Sequence, residues 1–280
     1  MKIRKPSVAG SFYPAGREQL LSMIRTMELE QELPDSTGSN YDKIFGGIVP
    51  HAGYMYSGSI ALPFFQMIAA WPTQFETIVI LHPNHYGHGP DMALDVHDAW
   101  ETPLGITKID LEPAKMLNIE KSADAHRFEH SAEVMLPLLQ YFLPYTFRIL
   151  PVALAHCDPA SGKKLSIRLR DAMNASGRKM LIIASSDFSH FVSPELGKNL
   201  DDKAIEHISK LNTQAFYETV NRHNISICGY MPILTLMEFA KMAGRNPVVE
   251  MLARGHSGQV TAHDDVVHYV TMLFYEPAAS

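Results

Sequence analysis

Cysteine is scarce: only Cys157 and Cys228 occur among 280 residues, and neither belongs to a C-x-x-C pair. A disulfide framework is not expected, and both thiols are expected to be reduced. No run approaches the roughly 20 apolar residues of a membrane-crossing helix. The opening MKIRKPSVAGSFYPAG is positively charged but has no long apolar stretch behind it. The protein is therefore expected in the cytoplasm, without a membrane partner. A basic excess is also missing, since 24 Lys and Arg stand against 30 Asp and Glu for a formal charge of -6, and the basic residues are scattered. Direct nucleic-acid binding is not expected. Gly46-Gly47 lacks the spacing of a dinucleotide or P-loop cradle, and the absence of a G-x-S-x-G elbow argues against serine hydrolysis. No Pro/Gly/Ser-rich linker divides the chain, and 46% hydrophobic residues suffice for a sizeable core. One domain over 1–280 is expected.

What the chain does have is histidine, 14 in all, several beside Pro, Asn, Asp, Ser or Gly where apolar runs end. The element pattern explains why that placement matters. Residues 1–16 lack helical periodicity, and their aromatics predict an ordered extended segment. Apolar spacing predicts a helix over about 18–30, and 35–41 is a polar connection. The run 44–49 ends at Pro50-His51-Ala52-Gly53-Tyr54; a helix to about 69 follows, and the strand-like run 77–81 ends at His82-Pro83-Asn84-His85. A peripheral strand is expected within 92–100, weak helix at 114–119, and a helix over 129–141 kinked or shortened by Pro137. A strand at 146–154, a helix at 161–175 and a buried strand at 180–185 follow, the last ending in Ser186-Asp187-Phe188-Ser189-His190. One helix is expected over about 201–219 and another over 231–243, with closing strands at 248–253 and 268–274. This order predicts a three-layer α/β/α fold around a mostly parallel or mixed sheet.

Ligand crevices of open α/β sheets form where loops leave the carboxyl ends of strands, and His51, His85 and His190 occupy such exits. Imidazole and thiolate both suit Fe, Zn, Co or Cu, so His51, His85 and Cys228 form a coherent donor set. The residues alone leave alternatives open. His51 also reads as a loop histidine bonded to backbone, and His82 and His88 compete with His85. Asp187 is either a helix cap or a partner for His190 in proton handling. Cys228 precedes Gly229 and a helix start, where N–H groups favour thiolate, but a buried apolar cysteine is the commoner case. Cys157, beside His156, is the reserve candidate. Glu129 and His130 either cap a helix or support the site as proton handlers or as contacts to its ligands. His256, His263 and His268 are assigned to structure or surface.

Taken together, RKPSVAGSFYP at 4–14, GIVPHAGYMYSG at 47–58, PNHYG at 83–87, ETPLG at 101–105, EHS at 129–131, SDFSH at 186–190 and ICGYMPI at 227–233 resemble the Memo family. In prokaryotes its members are often called AmmeMemoRadiSam system protein B. The family is similar in fold to class III extradiol dioxygenases, non-haem-iron enzymes that open catechol-type rings. The resemblance implies metal ligation by His51, His85 and Cys228, settling His85 over His82, with His190 as the proton-handling residue. It implies iron foremost, with copper or zinc as alternatives, and an oxidoreductase acting on a small molecule or protein. The other implied function is a non-catalytic metal-binding or interaction protein working with a radical S-adenosylmethionine system. Two departures stand out: Cys228 replaces the dioxygenase carboxylate, and His82 stands where relatives more often have glycine. A metal-free hydrolase with Cys228 as nucleophile ranks third.

Overall fold

Successive side chains of a strand point to opposite faces of its sheet, and here the two faces feed two separate cores. Ile78, Ile80, Ile149, Leu181 and Ile183 belong to one apolar cluster, whereas Val79, Leu81, Leu150, Val152 and Ile182 belong to the other. Strands buried on both faces need helices on both sides. In this computed structural model, which describes residues 1–30, 41–155 and 158–278, that requirement is met by a three-layer α/β/α arrangement.

The elements in chain order are β1 (Ile3–Arg4), α1 (Arg17–Leu29), β2 (Tyr41–Val49), a π-helical turn (Tyr54–Gly58), α2 (Ser59–Ala70), β3 (Thr77–Pro83), β4 (Met92–Leu94), β5 (Ala99–Thr102), β6 (Gly105–Lys108), α3 (Leu111–Met116), α4 (Met135–Phe142), β7 (Arg148–Leu154), α5 (Pro159–Ser176), β8 (Met180–Ser185), β9 (His190–Val192), α6 (Pro194–Ser209), α7 (Thr213–Arg222), α8 (Tyr230–Ala243), β10 (Val248–His256) and β11 (Val266–Pro277). The main sheet runs β10-β11-β2-β8-β3-β7-β4, with β9 added beside β11. Its centre, β2-β8-β3-β7, is parallel, and β10, β11 and β4 pair antiparallel. Helices α1, α2 and α4 cover one face through residues such as Leu20, Phe65 and Leu139. Helices α5, α7 and α8 cover the other through Leu165, Phe216 and Ile233. Among the described residues no helix is long and apolar enough to cross a membrane.

Several expectations need correction. The strand expected within 92–100 is two strands: β4 edges the main sheet, while β5 joins β1 and β6 in a separate three-stranded sheet. The helix expected from 129 starts only at Met135, so Pro137 lies in its first turn, where no intrahelical N–H is lost. Glu129 and Glu133 thereby sit in a non-helical turn, free to aim their carboxylates at partners. The helix expected over 201–219 is broken into α6 and α7 by Leu211, whose φ of 52 is left-handed. The polar connection beginning at 35 lies, apart from Tyr41, outside the described residues.

The turn before α4 is strapped to the chain's opening segment. Glu133, 1% exposed, accepts from Arg4 at 2.6 Å, from the Ser7 and Val8 N–H groups and from the Tyr13 hydroxyl at 2.8 Å. Arg4 also donates to the His126 and Glu129 carbonyls, both at 2.9 Å. Burial opposes ionisation of Glu133, but the Arg4 guanidinium and the Ser7 and Val8 N–H groups outweigh it, holding the carboxyl below its usual range. A depressed folded-state pKa gives stability that is present above the unfolded value of about 4.3 and lost as pH falls through the folded value. Glu133→Gln should cost about 3–5 kcal/mol near neutrality, because Arg4 is left buried without its counter-charge. It should also flatten the acid limb of stability against pH; urea unfolding at neutral and acid pH checks both effects.

Candidate metal centre

Strands β2, β8 and β3 are neighbours and parallel, so the loops that leave their carboxyl ends meet. His51 follows β2, Asp187 and His190 follow β8, and His85 follows β3. Cys228 arrives from the turn before α8, which lies close enough that a Cβ at Gly229 would sit 2.3 Å from the Ser185 carbonyl oxygen. Only glycine lets the turn approach that strand end. Ligand atoms of His51, His85 and Cys228 lie within 4.8 Å of one another. The His51 and His85 rings are 5.2 Å apart and nearly perpendicular, and Cys228 Sγ is 3.2 Å from His51 Nε2.

Proton accounting fixes both imidazoles. Ser185 Oγ donates its one proton to the Ser131 carbonyl at 2.7 Å, so at its 2.7 Å contact with His51 Nδ1 it accepts. His51 therefore carries its proton on Nδ1 and presents a bare Nε2 lone pair. His85 Nδ1 lies 2.9 Å from Glu129 Oε1; it donates to that acceptor-only carboxylate, so Nε2 is the ring nitrogen left for a metal. Glu129 also accepts from the His85 N–H at 2.8 Å and from the Ser131 N–H and hydroxyl at 3.1 and 2.7 Å. Burial resists its charge, but the His85 hydrogen bond and the neighbouring imidazoles prevail and keep it ionised. Imidazoles held by an oxygen on one nitrogen and open on the other fit metal ligation.

The charges around the pair point the same way. Burial, then His130 and His85, push His51 well below the usual imidazole range, which keeps it neutral. His130 stacks on His85 at 4.9 Å, and burial lowers it to about 4. His85, Glu129 and His130 form a second, overlapping donor group. Asp187 accepts the His51 N–H at 2.7 Å. Burial raises it to about 6 against the pull of His190 and that N–H.

Of the two readings open for Cys228, the surroundings favour the buried thiol. The Asp187 N–H does point at Sγ, at 3.3 Å, but burial and the Asp187 charge outweigh it and push the thiol up. Without a cation beside it, burial favours the thiol.

His190 lies at the rim. Its N–H donates to Ser226 Oγ and its Nδ1 to the Ser226 carbonyl, both at 2.8 Å. It is outside both donor groups. His82 is buried within β3, with Nδ1 3.0 Å from the Pro83 carbonyl oxygen, and His88 is exposed beside Tyr86. His156 and Cys157 fall outside the described residues. Sequence reasoning missed Ser185, Ser131 and Ser226, which set the tautomers, and Asp201, which accepts the Ser189 N–H and hydroxyl. It also left His268 unassigned to the site, yet that buried residue braces Asp201 at 3.1 Å. A serine ending a strand before a chemistry-bearing loop is the one signal that pointed to any of them.

A sequence profile described as Memo-like protein matches residues 4–273. The chain belongs to the Memo-like family. A MEMO1 family protein of Pyrobaculum aerophilum is 35% identical over 287 residues, covering 98% of this chain and all of that one. Others in Methanosarcina mazei and Archaeoglobus fulgidus are 35% and 36% identical, covering 98% and 97% of this chain and 99% of each relative.

The closeness at Gly229 gives a test of the site's scaffold. Gly229→Ala should destabilise the protein by about 1–3 kcal/mol, because backbone must move to admit the methyl. Chemical denaturation measures it, and an unchanged midpoint contradicts the packing described.

Proposed function

We propose that this Memo-like protein is a metal-dependent oxidoreductase in which His51, His85 and Cys228 hold one ion. Iron is foremost, and copper or zinc also suits the donors. The observation that carries the reading is the clustering of ligand atoms of His51, His85 and Cys228 within 4.8 Å, with each Nδ1 proton committed to an oxygen. A bound ion supplies Lewis acidity and, for iron or copper, one-electron chemistry.

The remaining roles fall to the chain itself. Glu129 and Ser185 orient the two imidazoles, Asp187 anchors the His51 backbone, and His190 accepts or returns a proton at Nε2 while Ser226 holds its Nδ1 side. The likeness to class III extradiol dioxygenases favours oxygen-dependent chemistry. The thiol at 228, where those enzymes have a carboxylate, separates the site from ring cleavage. That same thiol supports the second reading, a non-catalytic metal-binding protein serving a radical S-adenosylmethionine system.

Anaerobic purification with elemental analysis tests the site. Wild type should retain stoichiometric metal, and His51→Ala, His85→Ala and Cys228→Ala should lose most of it. Equal retention in all four proteins contradicts the reading. Ser185→Ala and Glu129→Gln should weaken metal affinity about 10–100-fold without abolishing it, as competition with a chelator would measure. Oxygen-dependent spectral change in the loaded wild type favours the oxidoreductase, and its absence favours the second reading.

A further inference from the structure

Asn84 lies between the end of β3 and His85, and it is 9% exposed. Its backbone is pinned on both sides: the N–H donates to the Leu154 carbonyl at 3.0 Å, and the carbonyl accepts the Gly87 N–H at 3.2 Å. Its side chain donates from Nδ2 to the His88 carbonyl at 2.8 Å. A carbonyl oxygen only accepts, so that bond fixes which end of the amide is nitrogen. The other end, Oδ1, is buried and meets no donor among the described residues. Buried polar atoms are nearly always paired, and an orphan calls for a ligand or a water.

The residue that carries this oxygen is part of the wall of a cavity beside the donor set. The cavity measures about 130 Å³ and is lined by Pro83, Asn84, His85, Leu154, Cys228 and Met231 among others. One water fills roughly 30 Å³ of liquid, so the space admits a group of a few heavy atoms. The Pro83, Leu154 and Met231 side chains give such a group apolar contact, whereas Asn84 Oδ1 gives it an open acceptor.

An open buried acceptor discriminates by proton. An O–H or N–H group satisfies it, a methyl leaves it unpaired, and a carboxylate sets lone pair against lone pair. We propose that Asn84 is a specificity-determining residue of the candidate centre, selecting a substrate whose compact protic end, a hydroxyl or N–H group, enters the cavity and donates to Oδ1. This rests on the metal-centre reading and names the substrate class for it.

Thiols of matched size test the inference, because the sulfur seeks the metal while the far end reports on Asn84. The pairs are 2-mercaptoethanol with 1-propanethiol and 3-mercapto-1-propanol with 1-butanethiol, which set hydroxyl against methyl at two reaches. With anaerobic, zinc-loaded protein, calorimetry should show at least one mercaptoalcohol binding about threefold or more tighter than its partner. In Asn84→Leu the bulk and the backbone bonds remain, so zinc content should hold. The preference should fall by about fivefold or more, since the hydroxyl is then the unpaired group. Asn84→Ala reads the same change if the leucine variant does not fold or loses zinc. A role confined to holding the loop through the His88 carbonyl would weaken both thiols alike and leave their ratio unchanged. A wild type without the preference, a smaller fall in the variants, or loss of zinc from both variants overturns the inference and leaves the metal reading intact. Failure of wild type to hold zinc, or of every thiol to bind loaded protein, overturns the open metal centre and the inference with it.

Discussion

A hydroxyl has one proton to give, and the site's geometry follows from where Ser185 sends it. Because that proton goes to the Ser131 carbonyl, His51 must keep its own on Nδ1 and turn a bare Nε2 toward Cys228. Glu129 imposes the same polarity on His85. Ser131 joins the two arrangements, accepting from Ser185 through its carbonyl and donating to Glu129 through its hydroxyl and N–H. Ordering two imidazoles alike costs conformational freedom and buried polar surface, and a cation held between their nitrogens and the sulfur would offset both. The Arg4–Glu133 strap belongs to this arrangement, since Arg4 also holds the carbonyl of Glu129.

Parallel topology brings the candidate histidines together, and the strand exits that carry them were legible. Apolar runs ending at His51, His85 and His190 mark three strand exits, and the structure makes those strands neighbours. The two-core alternation of β3, β7 and β8 likewise follows from continuous apolar runs. Cys228 was legible as a residue, with its protonation state left open between thiolate and buried thiol. Its position before a helix suggests a stabilised thiolate, whereas burial and the nearby Asp187 charge favour the thiol. Desolvation depends on what packs around the sulfur, and no local pattern encodes that.

What stayed hidden depends on distant contacts. Glu129 and Glu133 read as residues of a helix because the apolar spacing extends through them, but their carboxylates bind groups 44 residues and more away, and the helix starts later. The break between α6 and α7 is made by left-handed Leu211 together with Asn212, whose side chain caps α7. Asp201 and His268 brace the loop carrying His190 from elements far along the chain. Ser185 is the most consequential omission, because an ordinary serine at the end of a strand decides which nitrogen of His51 faces the site.

The central claim is that two imidazole nitrogens and one thiolate sulfur share a single ion. X-ray absorption at the metal's edge reads that set directly. The account predicts one sulfur at about 2.3 Å and two imidazoles near 2.0–2.1 Å for a zinc-loaded protein, with the sulfur contribution lost in Cys228→Ser. A spectrum of only nitrogen and oxygen ligands in the wild type, or one that Cys228→Ser leaves unchanged, would contradict it.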